Sequence, residues 1–230
     1  MSKIVWDENG SRFFESGVRK CVLYPKNGSN GGYGKGVAWN GITGITETPS
    51  GADETKLYAD DIVYGSVRSK ETLGGTIEAY MYPDEFAVCD GSGHPGEKGA
   101  PVTGVSIGQQ KRIPFGLSYV TQIDNDEHIE GDKLHLLWDA TVSPSSRAYT
   151  TISDSQEAIK LSWEFSTNPV KIDGYKDGAT TSIITIDTTK LTEPQKAILK
   201  TLEAKLYGSE TDEPTLITPD EVIAMFAAKA

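Results

Sequence analysis

Strict period-two alternation of apolar and polar residues constrains this chain more than any other feature. In "IKLSWEF", Ile159, Leu161, Trp163 and Phe165 point one way and Lys160, Ser162 and Glu164 the other, as in a strand with one buried face. "KLHLLWDAT" repeats the pattern, with Leu134, Leu136, Trp138 and Ala140 against His135, Asp139 and Thr141. "GTIEAYMY" sets Ile77, Ala79 and Met81 opposite Thr76, Glu78, Tyr80 and Tyr82. "PFGLSYVTQI" and "TSIITID" are further strands, and "GVAWNGITGITE" and "DIVYGSV" extend the set. Turn clusters, not amphipathic helices, separate these segments, which predicts a mainly β protein built as an antiparallel sandwich or barrel.

Two departures from the β pattern set the domain organisation. "YPDEFAVCDG" predicts one short flanking helix over about residues 83–90, with Pro83 at its first position and Gly91 as its stop. Residues 1–35 read as an N-terminal arm with a short strand near "KCVLY", because "KNGSNGGYGKG" is too glycine-rich for regular structure. Residues 36–190 form the sandwich. Residues 191–230 form a helical and extended C-terminal arm. Thr192 and Gln195 have capping-box spacing, and Ile198, Leu199, Leu202 and Leu206 make an apolar stripe that ends at Gly208. An acidic, proline-punctuated segment follows, and Thr218 and Glu221 then cap a second short helix carrying Val222, Ile223 and Phe226.

The formal net charge is −11, from 22 Lys and Arg against 33 Asp and Glu. Such a surface repels phosphate and argues against a tight grip on nucleic acid, although it suits a surface past which DNA slides. Two cysteines, Cys21 and Cys89, give no disulfide framework and point to reduced thiols. The N-terminal stretch lacks the apolar core of a signal peptide, and no apolar run approaches the roughly 20 residues of a membrane span.

Several short motifs suggest chemistry and fail on context. Gly104-Val105-Ser106-Ile107-Gly108 spells G-x-S-x-G, but the nucleophile elbow needs a strand before the serine and a helix after it. Here Pro114 and strand alternation follow, while Asp124, Asp126, His128 and His135 crowd close behind without the βα units of a hydrolase. Ser106 therefore reads as part of a strand-entry turn. "DNDEHIEGD" approximates a calcium loop, but an EF-hand starting at Asp124 would need Gly at Ile129 and Glu at His135. Cys89 and His94, with Glu85 nearby, fall short of a zinc site, and "GGYGKG" has neither dinucleotide-binding nor P-loop spacing. The acids Asp53, Glu54, Asp60 and Asp61 read as a solvated face. No cofactor, metal site or catalytic group is expected.

The longer segments "GVAWNGITGITETPSGADETKLYADD", "GGTIEAYMYPDEFAVCDG", "IGQQKRIPFGLSY" and "SWEF" resemble the major tail protein, or tail tube protein, of long non-contractile-tailed phages of Gram-positive bacteria. The resemblance runs from about residue 36 through the C-terminal helices and departs in the longer loop "GHPGEKGAP". It implies a tail-tube β-sandwich with one flanking helix, assembled as stacked hexameric rings whose sheets join into an inner barrel. It implies a structural virion protein that delivers DNA without specific binding, made and assembled in the host cytoplasm. The implied partners are further copies of itself and the tape-measure, tail-tip and tail-terminator proteins, with no membrane insertion. By the same resemblance, residues 49–61 form an inter-ring stacking loop carrying Asp53, Glu54, Lys56, Leu57, Tyr58, Asp60 and Asp61. The arms, roughly 1–35 and 208–230, would pack on neighbouring copies, and Glu78 and Glu164 are candidate lumen acids. The alternative is a monomeric sandwich that binds carbohydrate or a host receptor through exposed tryptophans. Trp138 and Trp163 speak against it, because they fall on the apolar faces. An esterase built on Ser106 is the third reading.

Overall fold

A computed structural model describes residues 4–26, 32–93, 104–151 and 158–227. The loop "GHPGEKGAP" after its first glycine, His94, and most of "KNGSNG" lie outside them. The first strands are β1 (Phe14–Pro25), β2 (Val37–Ala38), β3 (Ile42–Ser50), β4 (Glu54–Ala59), β5 (Ile62–Arg68) and β6 (Thr72–Ala79). A 3-10 turn, Asp84–Phe86, runs into α1 (Ala87–Asp90), and β7 (Phe115–Asp124), β8 (Ile129–Val142) and β9 (Leu161–Thr167) follow. The chain finishes through β10 (Val170–Lys171), β11 (Thr180–Thr181), β12 (Ile183–Asp187), α2 (Glu193–Tyr207) and α3 (Pro219–Ala227). All strand pairs are antiparallel, and the main sheet runs β2-β1-β7-β8-β9-β6-β3, with β12 on β8. The mainly β, sandwich-like fold expected from the alternation is the fold observed.

β8 turns the corner between the two layers. Its first part, Lys133–Leu137, pairs with β12, and its last part, Ala140–Val142, pairs with β9. Asp139 stands between them with φ 51, and a strand that switches sheets through such a local irregularity is the usual way to make a corner. The Lys26 ammonium binds the Asp139 carboxylate, and the Asp139 N–H donates to the Tyr33 hydroxyl at 2.9 Å. The bend also corrects the single-face reading of "KLHLLWDAT". Leu134, Leu136 and Trp138 face one core, whereas Leu137, Ala140 and Val142 face the other. Ala140 changes sides because the turn at Asp139 resets the alternation.

The first core lies between the layers, and α1 plugs it. Phe86, carried in by Pro83 and the 3-10 turn, sits 4.4 Å from the Trp39 ring, 5.3 Å from Trp163 and 5.7 Å from Phe115. Tilted and edge-to-face contacts of this kind add about 0.5–1.5 kcal/mol each beyond the area they bury. Gly91 ends α1 at φ 87, as expected of a left-handed helix stop. Strand β6 ends at Ala79, so the extension of its alternation is corrected: Tyr80 and Met81 are exposed, while Tyr82 turns in against Trp163. Cys21 and Cys89 are buried free thiols in this core, and burial pushes the Cys89 thiol up to about 12, which keeps it unreactive.

The second core lies on the other face of β1, β7, β8 and β12, beneath the C-terminal helices. The expected stripe of Ile198, Leu199, Leu202 and Leu206 is the buried face of α2, and both capping boxes form, at Thr192–Gln195 and Thr218–Glu221. The segment after Gly208 lies along the chain's own sheet and buries Leu216, Ile217 and Val222 there. Trp138 Nε1 donates to the Ile217 carbonyl at 2.9 Å, and the Tyr24 hydroxyl donates to the Leu206 carbonyl at 2.8 Å. β1 is much longer than the short strand read from "KCVLY", because the mostly exposed residues from Phe14 to Arg19 pair with β7 ahead of the buried Cys21–Tyr24.

Candidate assembly surface

β4 and β5 pair only with each other, as a two-stranded ribbon separate from the main sheet. The ribbon continues β3 and β6 beyond the sandwich. Gly51 (φ 92) and Ala52 (φ 58) break β3 from β4, and the Ser69 N–H donates to the Asp53 carbonyl at 3.1 Å across the root. Asp60 (φ 51) and Asp61 (φ 60) make the tip, the left-handed pair required by a tight hairpin turn that Asp tolerates. Residues 49–61 are thus not an irregular loop but the end of β3 and all of β4, and the ribbon runs on to Arg68. "DIVYGSV" is its second strand and does not join the main sheet.

Register fixes which side chains share a face. Thr55 opposes Val67, Leu57 opposes Gly65 and Ala59 opposes Ile62 on one side; Glu54 opposes Arg68, Lys56 opposes Ser66 and Tyr58 opposes Val63 on the other. The first side is apolar from Val67 to the tip, with Thr55 at its root. The second is polar at the root, where Arg68 stands 3.4 Å from Glu54, and apolar near the tip. Leu57, Tyr58, Ile62, Val63, Tyr64 and Val67 are all exposed, Tyr58 and Tyr64 to 70% and 76%. A two-stranded ribbon is marginally stable alone in water, and clustered exposed apolar side chains mark interaction surfaces. Ile62, Val63, Tyr64 and Val67 gave no site signal in the sequence, because a short apolar run such as "DIVYGSV" equally suits a sandwich strand.

Glu78 and Glu164 lie on the outward face of β6 and β9, where Thr76 pairs with Glu164 and Glu78 with Ser162. Glu78 is half-buried and bound by Lys160 at 2.7 Å, and Glu164 is exposed. Thr46, Thr48 and Ser50 continue this face on β3, which makes it a hydroxyl-rich surface with scattered acids.

The sequence motifs fall apart in space. Ser106 is exposed in the segment leading into β7. At the β7–β8 tip, Asp126 accepts from the Gly10 N–H at 2.9 Å, while Glu130 accepts from Asn125 at 2.7 Å and lies 3.1 Å from His128. Among the described residues no three His, Cys, Asp or Glu side chains gather as metal ligands, and no helix is long and apolar enough to cross a membrane.

One polar cluster was not legible in the sequence. Glu47, on the free-edge strand β3, reaches across to β7 and β8. It accepts from the Tyr119 hydroxyl, and its Oε1 lies 3.3 Å from His135 Nδ1, near enough for attraction but poorly aligned for a hydrogen bond. The His135 ring stacks on Tyr119 at 4.6 Å, and its Nε2 lies 3.1 Å from Thr121 Oγ1. These contacts with His135, helped by Tyr119, hold the Glu47 carboxyl below the usual glutamate range. Acid, imidazole and hydroxyl stand in the order of a nucleophile triad. Thr121, however, also donates towards Glu15 at 3.3 Å, and His135 Nδ1 makes no hydrogen bond to Glu47, so the relay that orients a general base is not formed. The cluster ties the edge strand to the sheet.

No family model matches the chain, and no curated protein matches it. Among solved structures, it is similar to a chain of the cryo-EM structure of the anti-feeding prophage (AFP) baseplate, 6-fold symmetrised. The identity is 10%, over 83% of this chain and 100% of that one, with a TM-score of 0.34. That overlap is too loose to define a common fold.

Proposed function

We propose that this protein is a structural virion subunit that assembles as stacked hexameric rings into a phage tail tube for DNA delivery. The observation that carries the reading is the β4–β5 ribbon, which exposes six large apolar side chains on two strands that pair outside the main sheet. Such a ribbon gains order and buries its apolar side only against another copy or a tail partner. In this reading Asp53, Glu54, Lys56, Leu57, Tyr58, Asp60 and Asp61 belong to the contact between rings, and tape-measure, tail-tip and terminator proteins bound the tube. Glu78 and Glu164 with their hydroxyl-bearing neighbours line the lumen, where DNA gains no counterion release from an acidic wall and so does not adhere.

The alternative, an aromatic platform for a glycan or receptor, loses its main residues. Of the four tryptophans, Trp39, Trp138 and Trp163 are each at most 2% exposed, which leaves Trp6, 75% exposed, as a lone ring and not a platform. Concentrated protein viewed by negative-stain electron microscopy, with mass measured by light scattering, tests the proposal. Hollow rings or tubes are expected. A strict monomer at every concentration, also when mixed with a tail-tip complex, overturns it.

A further inference from the structure

A groove of about 440 Å³ lies at the opposite end of β3 from the β4–β5 ribbon's root, between β1 and the segment that leads through β2 into Ile42. Its lining includes Val18, Lys20, Ala38, Trp39, Ile42 and Tyr207, an apolar floor of a size that ligand pockets commonly have. β1 is bulged here: its pairing with β7 jumps from Arg19 to Val22, and Lys20 sits at φ 51. A non-glycine residue held there is strained, and strain of this kind collects where a side chain must be aimed. Lys20 is exposed and has no ion pair among the described residues, whereas neighbouring Arg19 is bound to Asp132.

The ribbon carries the matching features. Its tip is Asp60-Asp61, neither in an ion pair among the described residues, and directly behind it Tyr58 and Val63 on one face meet Leu57 and Ile62 on the other. A tip that is apolar on both faces fits a groove better than a flat surface. The other grooves match less well. Near α3, Lys190 is already bound by Asp187 at 3.3 Å, and in the groove beside Phe13 and Phe14, Lys133 is already bound by Glu15.

The geometry points to insertion of the ribbon tip of one copy into the β1–β3 groove of a second copy, with Asp60 and Asp61 meeting Lys20. This rests on the self-assembly reading above and names the surface that receives the ribbon. A patch on one place of a molecule that fits a pocket elsewhere on it gives a head-to-tail contact, which propagates instead of closing a two-fold dimer.

Charge reversal with rescue tests the contact. Lys20→Glu alone, and Asp60→Lys with Asp61→Lys, are each expected to raise the concentration needed for association about tenfold, because like charges then face each other. The combined variant restores the opposite pairing and is expected to return to within about threefold of wild type. Circular dichroism and melting curves matched to wild type establish that each variant is folded. As a second measurement, Asp61→Cys protein is mixed under mild oxidation with a differently tagged Asn40→Cys protein, Asn40 being an exposed residue of the groove lining. A mixed disulfide is expected, and unsubstituted protein provides the control for Cys21 and Cys89. Reversals that leave association unchanged, or a combined variant no better than either parent, overturn the groove contact while tubes that still form leave the assembly reading standing. Wild type that neither associates nor yields a mixed disulfide between the cysteine variants overturns both.

Discussion

Trp163 and Tyr58 are both large aromatic residues on antiparallel strands, yet the first is 2% exposed and the second 70%. The difference lies in what stands opposite each one. Trp163 faces Trp39, Phe86 and Tyr82 across the sandwich, while Tyr58 belongs to a ribbon with no second layer. Alternation specifies that a strand has an apolar face. It does not specify that the layer covering that face belongs to the same chain.

If the sandwich is self-sufficient and the ribbon is not, substitutions should separate the two. Trp138→Ala is the severest test of the body. It empties the site beneath the C-terminal segment and leaves the Ile217 carbonyl unpaired, so a loss of about 3–5 kcal/mol is expected by urea titration. A loss below about 1 kcal/mol would mean that the C-terminal helices are not part of the fold proper. Gly75→Ala tests the close pairing of β6 between β3 and β9 inside the body. A Cβ there would stand 2.0 Å from the Thr46 carbonyl oxygen, which forces β3 off β6 at an expected cost of about 1–3 kcal/mol, read as a lowered melting temperature. Thr218→Ala removes the cap of α3 and should cost about 1 kcal/mol in the same assay.

Glu47→Gln gives a smaller effect that shows mainly in its pH dependence. The folded Glu47 carboxyl is held below its unfolded value by His135 and Tyr119. Its contribution is therefore complete above the unfolded value of about 4.3 and is lost as pH falls through the folded one. The variant should melt below wild type near neutral pH and converge with it in acid. Parallel curves would show that the cluster does not link β3 to β7 and β8. Leu57→Ser with Tyr58→Ser should change monomer stability least, by within about 0.5 kcal/mol, and yet weaken association. A large loss of monomer stability would show that the ribbon packs on its own body.

The body was legible wherever local pattern and burial agree. Trp163 and Phe165 are inward, and the Thr192 and Thr218 boxes form. The sandwich corner was not legible, because apolar residues on both faces of Leu134–Leu137 do not announce a left-handed Asp139. Nor was the Glu47–His135 contact, which joins residues from distant strands. The ribbon was half legible. Its acids read as a solvated face and Tyr58 entered only through the family resemblance, while Ile62 and Val63 looked like any other strand, and the pairing map separates them from the sandwich.

The corner strand has a consequence for how the protein opens. β8 is hydrogen-bonded along its length to β7, to β12 on its first half and to β9 on its last, and it is covered by a core on each face. Its amides between Leu134 and Val142 can meet solvent deuterium only when both cores separate together, so they should exchange with the free energy of global unfolding. Those of β4 and β5 should exchange through local fraying, orders of magnitude sooner. A single exchange experiment would thus sort the chain into a slow spine and a fast margin.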